Sequence, residues 1–203
     1  DIVISIININ DVAPVLTSSA TFSVTENQTA IGTVIATDEE GDTLTYSVSG
    51  TELAISSSGI LTFVTAPDYE SKSSYAATVT VNDGVNSTTQ DIVISITDVN
   101  EAPVFTSLAT FSVVENQTAI GTVTATDPDG DTLSYNISGS ELEINISTGM
   151  LSFKTAPDFE TKSLYTATLT VSEGGFNVTQ DLVMNGSNVN EAPDLNVQSM
   201  SAD

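Results

Sequence analysis

The sequence predicts an all-β chain of two tandem seven-stranded Greek-key β-sandwiches arranged end to end, and three observations lead there. One unit is written twice: Phe22 to Asp38 recurs as Phe111 to Asp127 with only two positions changed. Within each copy the apolar residues alternate with polar ones, the period of a half-buried strand. Turn-forming clusters interrupt the alternation at short, regular spacing.

The repeat extends beyond that segment. Thr65 to Glu70 (TAPDYE) returns as Thr155 to Glu160 (TAPDFE), and Asp91 to Ile96 echoes Asp1 to Ile6. The opening strand therefore reads as the last strand of a preceding repeat, and the tail from Asp194 as the start of a following one. The boundaries expected are 1–13 for that strand plus its junction, 14–102 for repeat one, 103–192 for repeat two and 193–203 for the start of the next repeat.

Alternation runs through Phe22 and Val24, then Leu44, Tyr46 and Val48, then Tyr75, Ala77, Val79 and Val81, then Ile92, Ile94 and Ile96. Breaks fall at Glu39-Glu40-Gly41-Asp42, Ser57-Ser58-Gly59, Ala66-Pro67-Asp68 and Asn82-Asp83-Gly84. Seven short strands in about 90 residues without a convincing helix suit a sandwich. The junction Asp98-Val99-Asn100-Glu101-Ala102-Pro103 is too short to act as a flexible tether.

Composition narrows the function. Asp and Glu number 27 against three lysines, with no histidine, for a formal net charge of −24. Three lysines cannot neutralise a run of phosphates, which disfavours nucleic acid and anionic membrane as partners, and no stretch of about 18 or more apolar residues appears, so direct membrane insertion is not expected. No cysteine is present, which removes disulfides, thiolate metal sites and thiol nucleophiles. Hydrophobic residues make up 39% of the chain, enough for each half to bury a core. Without His, Cys or Arg the commonest bases, nucleophiles and oxyanion clamps are missing, and the chain reads as no enzyme. The carboxylate pair Asp68 and Glu70 has the look of glycosidase chemistry, but it occurs in both repeats, and an active site need not be duplicated.

Four short motifs recur in order. Glu26-Asn27 and Glu115-Asn116 come first, followed by Ala36-Thr37-Asp38-Glu39-Glu40 and Ala125-Thr126-Asp127-Pro128-Asp129. Asp68-Tyr69-Glu70 and Asp158-Phe159-Glu160 form the third pair. The junctions are Asn8-Ile9-Asn10-Asp11-Val12-Ala13-Pro14, Asp98 to Phe105, and Asn188-Val189-Asn190-Glu191-Ala192-Pro193. This series resembles the cadherin repeat, with its xEN, AxDxD, DRE-like and DxNDNxPxF motifs. The stretches DVNEAP and DPDGDTLSY are similar to acidic arrays of bacterial giant surface adhesins.

That resemblance implies calcium at the joints between domains, in an extracellular, cell-surface adhesion or spacer module. Carried over by position, the central joint draws on Glu26, Asp68 and Glu70 from repeat one and Asp98, Val99, Asn100 and Glu101 from the connector. Asp127, Asp129 and Glu173 follow from repeat two. The same positions at the other joints are Asn8, Asn10, Asp11, Asp38, Glu40 and Asp83, and then Glu115, Asp158, Glu160, Asn188, Asn190 and Glu191. Ca²⁺ takes six to eight oxygen ligands, which this set supplies without nitrogen or sulfur. The junctions starting at Asp98 and Asn188 lack the family's second Asn, so two or three ions per complete joint are expected, with the Asn188 site weakened. Tyr69 and Phe159 replace the DRE arginine at no loss of ligand, and their expected role is packing at the boundary. Trp is absent, which removes the tryptophan strand exchange of classical cadherins. The partners implied are calcium, neighbouring repeats of the same chain, and homophilic or glycan contacts. The alternative is a carbohydrate-binding module appended to a secreted polysaccharide-active protein.

Isolated, Asp127-Pro128-Asp129-Gly130-Asp131 would pass for an acidic turn. It is no EF-hand, because Ser138 stands where a bidentate Glu is required.

Overall fold

The computed structural model describes residues 9–191. The chain divides into two compact units, the first ending at Val99 and the second beginning at Asn100. The strand from Asp1 and the tail from Asp194 lie outside the described residues, as does Asn8.

The first unit contains β1 (Val15–Leu16), β2 (Thr21–Thr25), β3 (Ala30–Thr33), β4 (Ala36–Thr37), β5 (Thr45–Val48), β6 (Leu53–Ile55), β7 (Ile60–Phe63), β8 (Ser74–Asn82) and β9 (Ser87–Thr97). The second repeats them as β10 (Val104–Phe105), β11 (Thr110–Val114), β12 (Ala119–Thr122), β13 (Ala125–Thr126), β14 (Ser134–Ile137), β15 (Leu142–Ile144), β16 (Met150–Phe153), β17 (Leu164–Ser172) and β18 (Asn177–Ser187). Among the described residues there is no helix.

These nine segments are the seven expected strands, because the first two strands of each unit are interrupted. β1 pairs antiparallel with β4, whereas β2 crosses to the other layer and runs parallel to β9. The layers are a four-stranded sheet, β2-β9-β8-β5, and a three-stranded sheet, β3-β7-β6. The chain changes layer between β2 and β3, β3 and β5, β5 and β6, and β7 and β8, which is the Greek-key pattern. The second unit repeats both sheets as β11-β18-β17-β14 and β12-β16-β15.

Burial follows the sequence alternation. In β9 the inward Ile92, Ile94 and Ile96 are buried while Asp91, Val93 and Ser95 face out. They share a core with Val79 and Val81 of the neighbouring β8, with Leu61 and Phe63 of β7 in the other layer, and with Val34 just after β3. Each such aliphatic side chain contributes about 2 kcal/mol by leaving water. In the second unit Leu169, Val171, Leu182 and Met184 fill the equivalent space.

The long hairpin sets the ends of the unit. β8 and β9 pair from Ser74↔Ser95 to Asn82↔Ser87, a run of about 30 Å. Asp83 therefore lies at one end of the sandwich and Asp98 at the other. Thr25 pairs with Thr97, so Glu26 emerges beside Asp98.

A glycine in each unit locks the turn before β7 or β16 to the strand opposite. Gly59 has φ +80° and its carbonyl accepts the Val34 N–H at 2.8 Å; a Cβ there would lie 2.2 Å from the Val34 carbonyl oxygen. Gly149 repeats this against Val123. Gly84 has φ +103° but open space around it. Gly84→Ala should therefore cost about 1–2 kcal/mol from backbone strain alone, and Gly59→Ala at least about 3 kcal/mol, because overpacking against backbone adds to strain. Urea unfolding of the two variants should rank them in that order.

Candidate metal centre

At the β9 end of the first unit a single carboxylate organises the local chain. Glu26 is only 3% exposed. Its Oε2 accepts the Tyr69 N–H at 2.8 Å and its Oε1 the Val99 N–H at 2.8 Å. The glutamate thus joins the loop after β2, the turn after β7 and the segment leaving β9. Next to it Asn27 adopts a left-handed φ of 62° and donates its N–H to the Pro67 carbonyl at 2.9 Å. Asparagine tolerates that region better than most residues, which gives the Asn following each glutamate a structural role.

Glu26, Glu70 and Asp98 each place a carboxylate oxygen within 4.8 Å of the others. Asp68 has a different position: its Oδ1 accepts the N–H groups of Glu70 and Ser71 at 3.1 and 3.3 Å, and its Oδ2 accepts the Ser71 hydroxyl at 2.8 Å. It caps its own turn. The Ser71 hydroxyl and N–H, with the Glu70 N–H, hold the Asp68 carboxyl below the ordinary aspartate value.

The second unit builds the same end with two changes. Glu115, also 3% exposed, accepts Phe159 N–H at 2.8 Å and Val189 N–H at 2.6 Å. Its cluster is Glu115, Asp158 and Glu160, with Asp158 again capping its turn through Thr161 and Glu160. Where repeat one has Asp98, repeat two has Asn188, whose amide donates to Glu160 Oε1. The Asn116 amide donates to Glu191 Oε1, and Asn190 is exposed.

The opposite end of each unit carries a second cluster. In the first, Asp38, Glu40 and Asp42 converge within 4.8 Å. Asp38 Oδ1 accepts the N–H groups of Glu40 and Asp42 at 2.9 and 3.1 Å. Glu40 accepts the Asp11 and Val12 N–H groups at 3.1 and 3.3 Å. The Asp11 N–H pulls the Glu40 pKa down, but burial and the Asp11 carboxyl outweigh it, leaving Glu40 above its ordinary value. The Asn10 amide donates to the Asp83 carbonyl at 3.3 Å, and Asn86 bridges Asn10 and Asp83. Burial pushes the Asp83 carboxyl up, yet the N–H groups of Asn86 and Val85 prevail and hold it below the usual value.

In the second unit the corresponding group is Asp127, Asp131 and Glu173. Asp129 Oδ2 accepts the Glu101 N–H at 2.7 Å, and Glu173 Oε1 accepts the Asn100 amide at 2.6 Å. The remaining oxygens decide what this end can bind. Asp127 Oδ2, Asp129 Oδ1 and Glu173 Oε2 are buried without a hydrogen-bond partner, as are Asp38 Oδ2 and Asp42 Oδ2 in the first unit. Buried carboxylate oxygens lacking donors are costly. A donor set of carboxylates and amides with such oxygens fits a hard cation of calcium's class.

Sequence reasoning did not single out Asp42 and Asp131. Their signal is present: an aspartate recurs four residues after Asp38 and after Asp127. At Val99 the backbone N–H donates to Glu26, which leaves the carbonyl as the atom that would bear the expected ligand role.

An all-β sandwich with acidic groups at both ends, repeated in tandem, is the architecture of a modular extracellular-type repeat. The chain belongs to the bacterial Ig domain family, which matches residues 10–96 and 100–185, and its repeats are cadherin-like. It is 38% identical over 166 residues to chitinase A of Pseudoalteromonas piscicida, covering 80% of this chain and 20% of that protein. It is 29% identical over 194 residues to the mouse cadherin EGF LAG seven-pass G-type receptor 1, covering 85% of this chain and 6% of the receptor. The chain thus spans a fifth or less of the length of these relatives. Among solved structures, human protocadherin-24 EC1-2 matches with TM-score 0.64 at 20% identity, covering 88% of this chain and 100% of that chain. Drosophila N-cadherin EC1-4 matches with TM-score 0.64 at 22% identity, covering 88% of this chain and 50% of that one.

Two outcomes follow for this end of the fold. Glu26→Ala leaves the Tyr69 and Val99 N–H groups without their acceptor and should lower the stability of the first unit by about 2–4 kcal/mol in chelator, with Glu26→Gln losing about 1–3 kcal/mol; denaturant titration measures both. The depressed Asp68 and Asp158 pKa values contribute stability that is present above the unfolded value of 3.8 and lost as pH falls through the folded value. An Asp68→Asn, Asp158→Asn double variant should therefore show a flatter acid-unfolding profile below about pH 4.

Proposed function

We propose that the chain is a calcium-stiffened segment of an extracellular surface array, in which carboxylates ending one repeat and carboxylates opening the next hold Ca²⁺ together. The observation that carries this reading is the set of buried carboxylate oxygens without partners at Asp127, Asp129 and Glu173. The covalent chain brings Asp98, a member of the first unit's end cluster, within two residues of Asn100, which bonds Glu173. Glu26, Glu70, Asp98 and the Val99 to Glu101 connector would supply one side, and Asp127, Asp129, Asp131 and Glu173 the other, for two or three ions per complete joint.

Charge gives the mechanism. Two carboxylates about 4 Å apart repel by roughly 4 kcal/mol at an effective dielectric near 20, and only three lysines are available to offset 27 acids. A divalent cation converts that repulsion into a brace. The module is non-catalytic in this reading: it spaces a distal binding domain from the cell surface or contributes to adhesion, through like copies or glycans.

A second reading has one specific support, the similarity to a protein named chitinase A across 80% of this chain. The segment would then be a carbohydrate-binding or spacing module of a secreted polysaccharide-degrading protein. Sugar stacking finds little purchase on the clefts of the two units, because Lys72 and Lys162 lie 4.1 and 4.4 Å over the rings of Tyr75 and Tyr165. Tyr69 packs against the core.

Calorimetry should show calcium uptake with constants near 10⁻⁵ to 10⁻³ M, the range of weaker sensors and extracellular modules. Small-angle scattering should show a longer, narrower distance distribution in calcium than in chelator. No uptake would end the reading, and binding to chitin oligosaccharides without a calcium-dependent change in shape would favour the second.

A further inference from the structure

The chain holds only three cations, Lys72, Lys154 and Lys162, and two of them occupy the same place in the two repeats. Lys72 closes the turn that bears Asp68 and Glu70, its N–H donating to the Asp68 carbonyl at 2.9 Å. Its ammonium reaches both Glu52 oxygens at 2.7 Å and lies 4.1 Å from the centroid of the Tyr75 ring. Lys162 repeats the arrangement with one oxygen fewer: its N–H donates to the Asp158 carbonyl at 2.9 Å, and its ammonium reaches Glu141 Oε2 at 2.5 Å and lies 4.4 Å from the Tyr165 ring.

These contacts span the layers. Glu52 directly precedes β6 in the three-stranded sheet, and Tyr75 belongs to β8 in the four-stranded sheet. One ammonium therefore pins the turn to both. The Tyr69 end of the turn is already held by Glu26; on the ammonium's side lies a cleft of about 340 Å³, lined by Glu52, Phe63, Pro67, Asp68 and Tyr75, whose counterpart in the second unit measures about 420 Å³. An exposed ion pair adds little to global stability, so its duplication in a chain nearly devoid of cations points to a local task.

We propose that Lys72 and Lys162 are positioning residues for cation binding, holding the turns 68–72 and 158–162 so that Glu70, and Asp158 with Glu160, are in place before the ion arrives. This rests on the calcium reading above. A side chain ordered in advance lowers the cost of binding, and the lysine achieves this while its own charge opposes the cation.

That opposition makes the test decisive in sign. Calcium is titrated calorimetrically into the full chain, into a Lys72→Met, Lys162→Met double variant and into a Lys72→Arg, Lys162→Arg double variant, with the melting temperature of each recorded in chelator. If charge alone mattered, removing two cations would tighten calcium binding. Positioning predicts the reverse: binding about three- to tenfold weaker in the methionine variant. Arginine, which also pairs with carboxylates and stacks on aromatic rings, should restore it to within about twofold of the parent. Should the methionine pair unfold, a Lys72→Gln, Lys162→Gln variant takes its place. Unchanged or tighter binding in the neutral variant, with the parent binding calcium, overturns the proposal alone; a parent that takes up no calcium overturns the calcium reading and the proposal with it.

Discussion

A buried glutamate at one end of each sandwich holds the surrounding chain in register. Glu26 and Glu115 are nearly inaccessible and ionisable, and a carboxylate in that position survives only if donors surround it. Each accepts one N–H from the turn after the seventh segment and one from the segment leaving the last strand. Three stretches distant in sequence are thereby fixed relative to one another, and the neighbouring carboxylates inherit their placement from that arrangement.

At the other end the logic is inverted. Glu40 takes the N–H groups of Asp11 and Val12, and Asp129 takes that of Glu101, so the segment entering each sandwich is also fastened by carboxylate hydrogen bonds. One oxygen of Asp38, Asp127 and Asp129 serves its own turn or connector, while the other lies buried with no donor. The fold therefore uses part of these carboxylates for structure and leaves other oxygens buried without a donor. The two repeats are not equivalent in this respect: Asn188 stands where Asp98 does, and its amide already occupies an oxygen of Glu160.

The acidity of the chain acquires meaning from this division. A net charge of −24 would by itself describe a soluble acidic surface. Part of it is gathered in carboxylate clusters at the two ends of each sandwich, while Lys72 and Lys162 are engaged with Glu52 and Glu141.

What the amino-acid order determined by itself was the repeat, the seven strands, the inward set Ile92, Ile94 and Ile96 and the motifs that gather acids, because alternation and turn chemistry act over neighbouring residues and are written locally. The split of the first strand into β1 and β2, the turn-capping duty of Asp68, the clamp at Glu26 and the recruitment of Asp42 and Asp131 were decided only in three dimensions. Those depend on which backbone N–H meets which oxygen, and for Glu26 the partners lie 43 and 73 residues away. Only the closed sandwich brings such partners within hydrogen-bonding distance.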